Sequence, residues 1–84
     1  MEIILTDSFE EAFDKLLREI QRLYYQQEKR FKENWRDPRL HIKKVKGLSH
    51  TFSFRITRRY RLFFYFHTSD KAIFFDVDHR KDAY

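Results

Sequence analysis

Thr51-Phe52-Ser53-Phe54-Arg55-Ile56-Thr57-Arg58-Arg59-Tyr60-Arg61-Leu62-Phe63-Phe64-Tyr65-Phe66 reads as two strands joined by a basic turn. Phe52, Phe54 and Ile56 alternate with Ser53, Arg55 and Thr57, the period of a half-buried strand. Leu62 to Phe66 is almost wholly apolar, as a central strand covered on both faces would be. Thr57-Arg58-Arg59 turns the chain between them. After the turn-like His67-Thr68-Ser69-Asp70, Ala72-Ile73-Phe74-Phe75-Asp76-Val77 supplies a further strand. This half of the chain is therefore a β-meander, and meanders pair antiparallel.

The other half is helical. Ile3-Ile4-Leu5 is a short β-like run that stops at Thr6-Asp7-Ser8, where Ser8 and Glu11 form a capping-box pattern. Phe9, Phe13, Leu16, Ile20, Leu23, Tyr24, Phe31 and Trp35 then recur at three- and four-residue steps. One long helix and a helical hairpin satisfy that stripe equally. Asp37-Pro38 ends it, because proline disfavours helix at the residue before it. Leu40 to Lys46 mixes basic and apolar residues up to Gly47 and reads as a short strand or extended arm. The order implies an α+β fold: an N-terminal strand, a helical region, then a mostly antiparallel sheet with the helices on one face.

At 84 residues the chain is one domain, 1–84, and its ten Phe, five Tyr and one Trp enlarge a core that its size would otherwise leave small. It has no cysteine, hence no disulfide or thiolate metal site. That composition suits a reducing cytoplasm. No apolar run is long enough to span a membrane, and Met1-Glu2-Ile3-Ile4-Leu5 lacks the basic start and apolar length of a signal peptide. Four histidines, at 41, 50, 67 and 79, show no helical i, i+4 pair, so no metal is expected. No glycine-rich phosphate loop or Ser-His-Asp signature is readable, and no cofactor is expected.

The net charge of +5 is concentrated. Residues 1–35 carry six Lys/Arg against eight Asp/Glu, and residues 62–84 carry three against four. Between them, residues 36–61 carry nine Lys/Arg and one acid, Asp37. Such a block is the footprint of a polyanion binder, or else a solvated face that confers solubility.

Three stretches together resemble the RelE/ParE superfamily of toxins. Asp37-Pro38-Arg39-Leu40 with Lys44-Val45-Lys46-Gly47-Leu48 is similar to the "DPRL…KLKG" lead into the sheet in RelE/StbE-type members. Ser53 to Leu62 resembles the hairpin "S-x-R-I-T-x-x-[YH]-R-[LV]", which the YoeB branch nearly shares. His79-Arg80-Lys81-Asp82-Ala83-Tyr84 resembles the "H-R-x-D-[VI]-Y" ending. The likeness spans essentially the whole chain in order. It implies a helical hairpin broken near Leu17 to Ile20, and a cognate antitoxin that wraps the protein. It also implies one of two activities: mRNA cleavage in the ribosomal A site, as in RelE, YoeB and YafQ types, or poisoning of DNA gyrase, as in ParE types. A degenerate member that only binds its antitoxin is the third reading.

The residue types favour the first. Arg61 falls where the ribonuclease branches place the arginine that stabilises the transition state, and a guanidinium can grip phosphate in bidentate fashion. Arg55 matches an arginine of the YoeB-like hairpin and is a phosphate ligand or a structural ion-pair partner. His79 follows the last strand, and histidine is the side chain that changes charge near neutral pH. Arg80 matches an arginine near the end of RelE, and Tyr84 a tyrosine that stacks on a base or assists proton transfer. Lys43, Lys44, Lys46, Arg58 and Arg59 are the expected contacts to RNA backbone. Two departures matter. RelE's paired lysines have no counterpart near Phe52 to Arg55, and YoeB's glutamate base falls near Ile42. His41 is the adjacent substitute. The expected partners are thus an antitoxin, the ribosome and mRNA.

Overall fold

Strand β1 (Glu2–Leu5) leads into helices α1 (Asp7–Asp14) and α2 (Arg18–Glu33). A 3-10 turn (Pro38–Leu40) and strands β2 (Lys43–Lys44), β3 (Thr51–Arg55), β4 (Tyr60–Thr68) and β5 (Lys71–His79) follow. The computed structural model describes residues 1–79, so Arg80 and Tyr84 of the expected site lie outside the described residues.

The helices begin and end where local hydrogen bonds dictate. Thr6, not Ser8, caps α1: its Oγ1 accepts from the Phe9 N–H at 3.1 Å. Thr6 is still bonded through its own N–H to the Phe74 carbonyl, so the chain leaves the sheet there and coils at once. Ser8 donates instead to the Phe75 carbonyl at 2.9 Å. The helical stripe is a hairpin, as the resemblance implied, broken over residues 15–17 and so meeting the implied stretch at Leu17. Gln21 Nε2 donates to the Phe13 carbonyl at 2.9 Å, beside the Leu16 N–H that the same carbonyl accepts, and so ties the start of α2 to the end of α1. Helix α2 ends at Glu33, so Trp35 sits in the following turn rather than on the helical stripe, and the expected arm at Leu40–Lys46 shrinks to a two-residue strand.

The five strands lie in the order β1-β5-β4-β3-β2, antiparallel except for the parallel β1–β5 pair. The α+β architecture expected from the sequence is present. Both helices cover one face. Phe54, Leu62, Phe64, Phe74 and Val77 meet Phe9, Ile20, Tyr24, Phe31 and Leu40 in the core. Phe31 is its hub, with ring centroids 5.6, 5.1 and 5.2 Å from Phe54, Phe64 and Phe74. Tyr24 is buried too and donates to Glu28 Oε2 at 2.6 Å; burial and that carboxylate push its phenol pKa upward.

The opposite face is not covered like the first, which corrects the expectation of a β4 buried on both sides. Leu62 and Phe64 are buried, Phe63 is half-buried and Tyr65 is exposed. Strand register arranges this open face in rows across the strands: Arg55–Arg61–Asp78, then Lys43–Ser53–Phe63–Asp76, then Thr51–Tyr65–Ile73–Ile4. Between the last two rows β5 carries one extra residue, Phe75, in a bulge that the Ser8 hydroxyl pins.

The 3-10 turn is built by Asp37. Its carboxylate accepts from Arg39 Nη2 at 2.7 Å, Arg39 Nε at 3.0 Å and the Arg39 backbone N–H at 2.9 Å. The side-chain bonds first, and the backbone bond second, hold its pKa down from 3.8 to about 2. A depressed carboxyl stabilises the fold above its unfolded pKa and loses that contribution as pH falls through the folded one. The clamp should therefore be intact above pH 4 and lost between about pH 4 and 2. An NMR titration of the Asp37 side-chain carboxyl should give a midpoint near 2. A midpoint at the ordinary value would mean that the clamp does not form in solution.

Candidate functional site

The site grows from one buried arginine. Arg61 is the second residue of β4 and alternation turns it to the open face, yet it is only 1% exposed. Its Nε donates to Ser53 Oγ at 3.0 Å and its Nη2 to the His41 carbonyl at 2.8 Å. That carbonyl is aimed by the left-handed backbone of His41 (φ 51°), which caps the Asp37-built turn. The guanidinium is thus fixed from β3 and from the 3-10 turn before any ligand arrives, which is what preorganised charge stabilisation requires.

Arg55 is the cross-strand partner of Arg61, so two guanidinium-bearing residues stand directly opposite each other. Like charges in that position repel. Arg55 Nε is buried and makes no hydrogen bond. Asp78 flanks Arg61 on its other side. A cleft of about 410 Å³ opens beside this row, lined by Lys43, Lys44, Val45, Lys46, Ser53, Arg61 and Phe63. The cleft has a cationic rim, a fixed guanidinium and one aromatic wall. Such a shape can hold a phosphate with a neighbouring base.

The expected residues separate into groups. Arg55 and Arg61 share a row, and Lys43, Lys44 and Lys46 edge the same cleft. Arg58 and Arg59 are exposed in the turn between β3 and β4. His79 is not on the face of Arg61: it pairs with Tyr60, and its ring lies 4.7 Å from the Tyr60 ring. Alternation explains this, because His79 is next to Asp78 and so points to the other side. His41 is exposed and already touches Arg61 through its carbonyl. Among the described residues no group of three or more His, Asp or Glu side chains gathers as a metal site, and no helix is long and apolar enough to cross a membrane.

Three participants escaped sequence reading. Ser53 shares the alternation of Arg55, but only the register shows that its hydroxyl meets Arg61. Asp78 likewise enters the row only through the β4–β5 pairing. Gln27, 5% exposed on α2, braces the site from the helical face. Its Nε2 donates to the Arg55 carbonyl at 2.6 Å and the Arg39 carbonyl at 3.1 Å, while its Oε1 accepts from Arg30 Nη1 at 2.7 Å. It ties α2 to the end of β3 and to the turn that presents His41. A glutamine on an otherwise apolar stripe was the available signal.

No protein-family model matches the sequence, and no curated protein matches it. Solved structures do match. One is the RelB-RelE antitoxin-toxin complex from Methanococcus jannaschii, with TM-score 0.76 and 22% identity over 93% of this chain and 91% of that one. A second is the YoeB/ParE toxin from Agrobacterium tumefaciens, with TM-score 0.78 and 14% identity over 95% and 99%. A third is the toxin-antitoxin complex RelBE2 from Mycobacterium tuberculosis, with TM-score 0.68 and 26% identity over 94% and 96%. With these superpositions covering nearly the whole chain, the chain has the fold of the RelE/ParE superfamily of toxins.

Proposed function

We propose that this chain is the toxin of a toxin–antitoxin pair and an endoribonuclease that cuts mRNA on the ribosome. The observation that carries the reading is the opposed pair Arg55 and Arg61, with the Arg61 guanidinium held by Ser53 and His41 at a basic cleft. A scissile phosphate seated there relieves the repulsion of the two cations. In the reaction the 2′-oxygen attacks the adjacent phosphorus and the 5′-oxygen leaves, giving a 2′,3′-cyclic phosphate and a 5′-hydroxyl end. Arg61, with Arg55, stabilises the charge that develops on the phosphorane. Proton transfer falls to His79 or His41: His79 stacks on Tyr60, and His41 meets Arg61 through its backbone carbonyl. Arg80 and Tyr84 remain proposed as a phosphate ligand and a base-stacking residue. The ribosome would hold the message in line, supplying orientation that so small a cleft lacks. Toxin-antitoxin complexes among the matching structures support an antitoxin as the protein's partner.

The basic block sets a salt dependence. If about four of its cations meet single-stranded backbone, log Kobs against log salt should slope by roughly −3. Reversing Lys43, Lys44 and Lys46 to Glu should flatten that slope. An affinity that ignores salt would assign these lysines to a solvated face.

The deciding experiment is primer extension on a message in a translating extract, with and without the protein. Codon-positioned breaks are expected. An intact message together with inhibited DNA supercoiling would move the assignment to gyrase.

A further inference from the structure

A second concavity lies at the far end of β4, on the helical face, away from the Arg61 cleft. It measures about 340 Å³ and is lined by Trp35, Arg36, Phe66, Thr68 and Ser69. Its floor is rigid. Phe66 packs on Phe52 and Phe64 with ring centroids 5.8 and 5.5 Å away, and Trp35 meets Phe66 edge-on at 4.9 Å. Trp35 is only half-buried, and the exposed Arg36 guanidinium lies over its ring, 5.0 Å from the centroid. Thr68 Oγ1 accepts from the Asp70 N–H at 3.2 Å, which leaves its hydroxyl hydrogen to donate.

A core-packing aromatic needs neither a guanidinium over it nor hydroxyls at its rim. Flat aromatic and guanidinium surfaces with hydroxyls beside them are what an unstacked RNA base requires, and the Arg36 charge suits a flanking phosphate. We propose that Trp35, Arg36 and Phe66, with Thr68 and Ser69, form a second nucleotide subsite that takes one unstacked base of single-stranded RNA. The base stacks on the Arg36–Trp35 surface, its edge meets the Thr68 and Ser69 hydroxyls, and Arg36 meets an adjoining phosphate. Phe66 lies five residues along β4 from Arg61, roughly 17 Å at strand rise. The subsite therefore binds the same strand at a distance from the cut. It rests on the RNA reading above.

Trp35 is the only tryptophan, so its fluorescence reports on this subsite alone. The probe is a labelled hexanucleotide of 2′-O-methyl RNA, which lacks the attacking hydroxyl and stays intact. Trp35 emission should quench saturably, with the same midpoint as the oligonucleotide's anisotropy. Arg36→Ala, a surface change, should weaken that midpoint by about ten-fold with an unchanged melting curve, and Trp35→Ala should weaken the anisotropy midpoint comparably. Emission that stays constant while anisotropy saturates overturns the subsite, as does full affinity in Arg36→Ala. An oligonucleotide that does not bind at all overturns it too. In each case, message cutting by the same preparation in extract shows separately whether the ribonuclease reading survives.

Discussion

Arg61→Lys should lower message cleavage by about 10²–10³ while the protein stays folded. Lysine keeps the charge and most of the apolar stem but loses the planar fork and the Nε–H that Ser53 Oγ accepts. It therefore cannot hold two phosphate oxygens while bonded to both Ser53 and His41. The melting temperature should move by only a few degrees, on the order of 1 kcal/mol. Alanine is the less informative change. At 1% exposure Arg61 fills space and satisfies two acceptors, Ser53 Oγ and the His41 carbonyl. Arg61→Ala would thus confound lost chemistry with lost stability. Rate assays on both variants, alongside thermal melts, separate the two. A lysine variant that cuts at the wild-type rate would remove Arg61 from the reaction.

Phe31→Ala should cost about 3–5 kcal/mol, read as a large fall in the urea midpoint. Phe31 is fully buried, and its ring contacts reach Phe54 on β3, Phe64 on β4 and Phe74 on β5. No smaller residue at that point touches all three strands from α2. A domain of this size has only about 5–15 kcal/mol in total, so the variant should be substantially unfolded at 37 °C. An unchanged midpoint would mean that α2 is not docked on the sheet through this ring.

The elements were largely legible because period and breakers act locally. Phe52, Phe54 and Ile56 alternate whatever surrounds them, and Pro38 closes the helical region on steric grounds. The boundaries that were misread depend on distant partners. Thr6 caps α1 because its N–H is still bonded to β5, which no local pattern near Ser8 discloses. The candidate site is readable in the sequence only as residue types and not as an arrangement. Arg55 and Arg61 fall on the open face by alternation, but their opposition follows from register. The same register turns His79 to Tyr60 and brings Asp78 into the row, an arrangement that neighbours in sequence do not disclose. Gln27 was invisible for a related reason: its two carbonyl partners, on Arg39 and Arg55, lie 12 and 28 residues away.

The most direct test of the proposed ribosome-bound cleavage at the Arg61 cleft uses programmed ribosomes and a message carrying a single 2′-deoxy nucleotide at the mapped cut. With the natural nucleotide, the protein should release an upstream fragment ending in a 2′,3′-cyclic phosphate, and Arg61→Lys should not. With the deoxy nucleotide, the cut at that position should vanish, because the attacking oxygen is gone. Equal cutting of both messages, or no cutting of either, would overturn the assignment.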